Sequence, residues 1–149
     1  MSIRKLAVCG LLGAILSLVS LSPGAAQTPP GSVVFSEIMW PGSDASSADE
    51  WIELYNRSAT AVDVSGWTIT RGDGEDEQVM VLIPAAVIEP GGAFLISNYG
   101  AEDARSHLAW TPDLVDAAVS LPNSRLQLRL YDADPASGQL VDEADDGSG

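Results

Sequence analysis

From Val33 to Glu143, apolar and polar residues alternate with period two in short runs, and each run is closed by Gly, Pro, Asn or Asp. Successive side chains of an extended chain point to opposite faces, so such runs build half-buried strands, and helical spacing is nearly absent. Val33 to Trp40 opens with β-branched and aromatic residues and stops at Pro41-Gly42. Trp51 to Asn56 places Ile52 and Leu54 on one face and Trp51, Glu53 and Tyr55 on the other, after which Asn56-Arg57-Ser58 turns the chain. Val62 and Val64 share a face. Ser65-Gly66 permits a bend, and Trp67 with Ile69 resumes the alternation before a polar turn from Arg71 to Glu77.

Val79 to Ile83 is a further run ended by Pro84. Val87-Ile88 and Ala93 to Ser97 flank Glu89-Pro90-Gly91-Gly92, with proline at a turn's first central position and glycine where positive φ is required. The stretch Asn98 to Pro112 reads as loop with one helical turn around Ala101 to Arg105, and Val119 to Leu121 as a short strand. Arg125 to Tyr131 alternates with Leu126, Leu128 and Leu130 inward, and Asp132 to Gly138 turns it into Leu140-Val141-Asp142. Seven to nine short strands in one domain predict an all-β, antiparallel sandwich.

The N-terminus follows a different rule. Arg4 and Lys5 precede an apolar run from Leu6 to Leu21, and Ser22 to Gln27 supplies helix breakers and small residues. This is the order of a secretory signal peptide, expected over residues 1–26 with cleavage after Ala26, an uncleaved anchor being the alternative. The run is 16 residues long; a membrane span needs about 20. The single cysteine, Cys9, lies inside it, so the mature domain is held by its core without disulfides. Residues 27–32 read as a linker and residues 33–149 as the domain, ending in acidic loop without a further strand to cover the last edge. A fragment lacking its C-terminus is the expectation.

The formal net charge of −14 divides unevenly. Beyond Lys5 there is no lysine, and five arginines face 21 acids, a net of −16. Such a surface repels polyphosphate and anionic lipid, so nucleic acid is excluded as a partner and no membrane insertion is expected after cleavage.

No constellation of residues points to catalysis. Glu50 and Glu53 stand three apart on a strand and therefore face opposite ways. Glu37 and Glu53 lie on neighbouring strands, where they could pair with an arginine such as Arg125 or Arg129 or accept backbone donors. His107 beside Ser106 is a solvent-facing loop residue, and neither a nucleophile elbow, a Cys/His cluster nor a phosphate loop occurs. No cofactor is expected except calcium, whose hard oxygen ligands could come from Asp73, Glu75, Asp76 and Glu77, or from the acidic stretches Asp44/Asp49/Glu50 and Asp142 to Asp146. None has EF-hand spacing, and a solvated acidic turn is the alternative. Trp67 reads as a core anchor; Trp51 and Tyr55 read as cover for a sheet edge or as an exposed aromatic strip.

Three segments together resemble the opening of a lamin tail domain: Val34 to Met39, Asp49 to Asn56 and Val62 to Ile69. The pieces that carry it are Glu37, the run Trp51-Ile52-Glu53-Leu54-Tyr55-Asn56, and Gly66-Trp67. Ile83 to Ile96, with Pro90 and Gly91, and Leu126 to Glu143 fit the later hairpin and strands. The resemblance implies an immunoglobulin-like β-sandwich and a non-catalytic interaction module of a bacterial exported protein. Such a module would be secreted, at the cell surface, or periplasmic in a Gram-negative cell. Its partner would be a protein or surface polysaccharide; the alternative is an accessory domain of a larger exported hydrolase or nuclease.

Overall fold

The computed structural model describes residues 28–147. The expected signal peptide lies outside them. Among the described residues there are ten strands, one 3-10 turn at Gly74–Asp76 and no α-helix. The strands are β1 (Val33–Met39), β2 (Trp51–Asn56), β3 (Val62–Asp63), β4 (Thr68–Arg71), β5 (Gln78–Leu82), β6 (Val87–Ile88), β7 (Ala93–Ser97), β8 (Leu114–Val115), β9 (Gln127–Tyr131) and β10 (Leu140–Asp145).

Two four-stranded sheets, ordered β1-β2-β7-β8 and β10-β9-β4-β5, enclose the core, and the pair β3-β6 forms a third, small sheet. This is the all-β sandwich that the alternation predicts, of the immunoglobulin-like kind that the family resemblance implies. The parity holds along β2 and β9, whereas β4 and β5 bury successive residues and a bulge interrupts it in β1. Ile52 and Leu54 from β2, Phe94 and Ile96 from β7, Ile69 from β4, and Leu128 and Leu130 from β9 are all buried in one cluster. Trp67 joins them at 3% exposure, which makes it the core anchor expected of it. Gly66 directly before it has φ +78, a conformation that side chains disfavour, and lets the chain bend toward β4. Gly91, at φ +69 after Pro90, closes the turn in which Gly92 N–H donates to Glu89 O at 2.8 Å.

Asn56 ends β2 pointing inward, fully buried. Its amide donates to Thr60 O and Ile88 O, each at 2.8 Å, and its oxygen accepts from Ser58 N–H and Ser58 O–H at 2.9 and 2.7 Å. All its hydrogen-bonding capacity is used. The residue therefore fixes the turn after β2 and ties it to β6, a role that the period-two pattern alone does not reveal.

On one side of the sandwich, the edge strands of the two sheets meet. Gly31 N–H donates to Val141 O at 2.8 Å, and Phe35 N–H donates to the Asp142 carboxylate, also at 2.8 Å. Both edges carry bulges here, between Phe35 and Glu37 and between Leu140 and Asp142.

Several local expectations change. The end of the expected linker is a turn, with Ser32 N–H on Pro29 O at 3.1 Å, and Arg57 N–H holds Ser32 O. The last strand runs on to Asp145. Val119 and Leu121 are buried on either side of exposed Ser120 but form no strand, while Leu114–Val115, next to the expected loop, pairs parallel with β7. Ala101 to Arg105 forms turns, closed by Asp103 N–H on Gly100 O, rather than a helical turn.

Candidate functional site

The outer face of the first sheet carries the residues that the core does not need. Glu37 pairs directly with Glu53 across β1 and β2, Met39 pairs with Trp51, and Glu53 pairs onward with Leu95 on β7. These side chains share one face because Ile52, Leu54 and Ile96 between them are buried. The β1 bulge places Ser36 beside Glu37 opposite Glu53, and the Ser36 hydroxyl donates to Glu53 Oε1 at 2.7 Å. The Glu37 carboxylate has no hydrogen-bond or ion-pair partner among the described residues. Neither glutamate meets Arg129, one of the possible partners, because Arg129 belongs to the other sheet.

A segment from the long connection after β7 lies over this face. His107 to Trp110, together with Trp51, Met39, Leu95 and the two glutamates, bounds a groove of about 260 Å³. Trp51 is half-buried in it, and Trp110 is 76% exposed at its rim. Of the two readings for Trp51, edge cover or exposed strip, the groove sets it beside Trp110 rather than Tyr55.

The connection is held by carboxylates from the start of β2. Asp49 and Glu50, 4% and 5% exposed, accept from His107 N–H at 2.8 Å and Leu121 N–H at 2.9 Å. Burial raises Glu50 above the ordinary carboxylate range, against the opposing effects of the Leu121 bond and the Arg71 charge. Asp113 accepts from Leu95 N–H at 2.8 Å, and Asn98 donates to Val119 O at 2.6 Å. The His107 ring, itself more than half exposed, lies 2.9 Å from Asp44, and the Ser106 hydroxyl accepts from Leu108 N–H. Those side chains shape the loop instead of facing each other as a catalytic pair would.

The second sheet treats its acids differently. Arg129 on β9 reaches Glu143 at 2.6 Å, and Glu77 and Asp73 at 3.1 Å each. Thr70 and Tyr131 donate to the other oxygen of Glu77 at 2.7 and 3.0 Å. Burial alone would raise the Glu77 pKa, but the bonds from Thr70 and Tyr131 and the Arg129 charge together hold it below the usual value. The calcium set is therefore not assembled: Asp73 and Glu77 turn to a guanidinium, while Glu75 and Asp76 lie exposed in the 3-10 turn. Asp142 and Asp146 accept from Phe35 N–H and Leu126 N–H, so those oxygens also serve the backbone.

A wider cavity of about 710 Å³ lies at the opposite end of β2, around Ser58, Thr60, Asp63, Trp67 and Gln139. Its acids serve local turns: Asp63 accepts from Ser65 N–H, and Asp132 from Gln139 N–H.

The model of the Lamin Tail Domain family matches residues 26–147. The chain belongs to the lamin tail domain family. Comparison with curated proteins gives no match. The lamin tail domain motif residues sort by position in this chain: Leu54, Asn56 and Trp67 are buried, Gly66, Pro90 and Gly91 shape turns, and Glu37, Trp51 and Glu53 line the groove. Among the described residues of this lamin tail domain, no helix is long and apolar enough to cross a membrane. Sequence reasoning missed Asp49, Glu50 and Trp110 as builders of the groove. The signals for them were two acids immediately before a strand and a tryptophan following Leu108-Ala109 in a connecting loop.

Proposed function

We propose that this chain is an exported, non-catalytic interaction module, directed outward by residues 1–26 and recognising a partner through the groove on the first sheet. The observation that carries this reading is the exposed Trp110 set against half-buried Trp51 over a sheet face. Side chains of that kind are enriched in recognition surfaces, and loops on a rigid sandwich are the usual carriers of recognition. The loop is held in place by two buried carboxylates, which limits the entropy lost on binding. The mature surface, acidic and free of lysine, suits an extracellular, cell-surface or periplasmic setting and a partner that is neither nucleic acid nor anionic lipid.

The full chain, expressed with its own N-terminus in a secreting bacterium, should appear outside the cytoplasm with Gln27 as its first residue. Retention of the intact N-terminus in the membrane fraction would count against export. Binding to whole cells of the producing species should fall sharply in Trp110→Ala and Trp51→Ala. A variant at the far cavity, Thr60→Ala, should bind as the wild type does; loss there with the tryptophan variants unaffected moves recognition to the other end.

A further inference from the structure

We infer that the groove takes a basic side chain, arginine or lysine, presented by an extended and otherwise apolar segment of a partner protein. This rests on the reading of the groove as a recognition site and specifies its ligand. Glu37 and Glu53 stand directly opposite each other on adjacent strands, an arrangement that costs stability when both are charged. The β1 bulge sets both beside the groove, and bulges commonly re-aim side chains at functional positions. Ser36 engages one oxygen of Glu53, which leaves its other oxygen and both oxygens of Glu37 without a partner among the described residues. On the second sheet a similar gathering of acids is answered by Arg129. Here the described residues supply no such group: Arg71 holds Ser120 O, Arg105 lies against Asp103 and Tyr99, and no lysine follows Lys5.

The rest of the lining selects among cations. Trp51, Met39, Leu95 and Leu108 offer apolar and aromatic surface, which suits the stem of a long basic side chain and its flanking residues better than a hydrated ion. A planar guanidinium can also bridge two carboxylates. A second copy of this chain is a poor occupant because its mature surface is itself strongly acidic. A neutral polysaccharide brings hydroxyl donors to the carboxylates but no charge, so it would leave the repulsion between the paired glutamates unanswered.

The test is titration of the isotope-labelled full chain with a capped pentapeptide of leucine and valine around a central arginine. The same peptide with citrulline at the centre and a neutral β-linked hexasaccharide serve as the comparison probes. The arginine peptide should move the indole resonances of Trp51 and Trp110, and citrulline should weaken binding about tenfold. Raising salt from about 50 to about 500 mM should weaken the arginine peptide severalfold and the citrulline peptide little. Glu37→Gln and Glu53→Gln should each lower affinity while leaving the melting temperature equal or higher, a combination that a purely structural role does not give. Equal binding of the two peptides, no shift with either, or salt-independent shifts with the hexasaccharide would each overturn the inference. If cell binding still depends on Trp51 and Trp110 while the arginine peptide fails, the module reading stands and only its ligand is wrong. If cell binding is also insensitive to the tryptophans, both fall.

Discussion

The two sheets carry acids on their outer faces and resolve the repulsion in opposite ways. On the second sheet, Arg129 joins Glu77, Glu143 and Asp73 into a network that also recruits Thr70 and Tyr131. On the first sheet, Glu37 faces Glu53 without a cation, under a groove lined by two tryptophans. One arrangement stabilises the fold, and the other leaves charge available to a ligand. A domain with 21 acids therefore spends its few arginines selectively.

The difference can be broken from the second sheet first. Arg129→Met removes the cation while leaving three carboxylates around the vacated space, and it should cost about 3 kcal/mol in urea unfolding at neutral pH. Glu77→Gln keeps the shape but loses the charge, with an expected cost of about 1.5 kcal/mol. Because the folded-state pKa of Glu77 is depressed, its contribution is present above the ordinary glutamate value and lost as pH falls through the lower folded value. Urea midpoints of wild type and Glu77→Gln should therefore converge on acidification.

Glu50 sharpens the contrast because its sign is reversed. Its folded pKa is raised, so ionisation opposes folding: the cost is absent below the unfolded value and is imposed as pH rises through the folded value. Glu50→Gln can keep an acceptor for Leu121 N–H, and above that window it should match or exceed wild type by up to about 1 kcal/mol. A large loss at neutral pH would show that the ionised form is needed to hold the loop. The smallest effect belongs to Glu37→Gln, which relieves one half of the opposed pair and should stabilise by about 0.3 kcal/mol in the same assay.

Local chemistry made much of this fold readable in advance. Ile52, Leu54, Leu126, Leu128 and Leu130 face the core because alternation is a property of the extended backbone itself. Pro90-Gly91 forms its turn because proline fixes its own φ and glycine tolerates the positive φ that the next position needs. What escaped is what depends on distant partners. Val119 and Leu121 are buried without strand pairing because the loop around them is held by Asn98 and Glu50, far off in sequence. The parallel pairing of Leu114–Val115 with β7 has no local signature at two residues' length. The side of the sheet on which Arg129 projects is legible, but not which sheet it joins, so the sequence leaves pairing with Glu37 or Glu53 open as one possibility. The groove was half legible: Trp51 and both glutamates were singled out, but the wall at His107 to Trp110 was not.

The joined edges of β1 and β10 have a mechanical consequence. The two strands advance in the same direction, since Gly31 meets Val141 and Phe35 reaches Asp142. Tension applied at residue 28 against residue 147 would drag one strand lengthwise past the other, loading these bonds together rather than peeling them singly. The same contact that shields two sheet edges thereby acts as a shear clamp, placing resistance to pulling where the chain enters and leaves the sandwich.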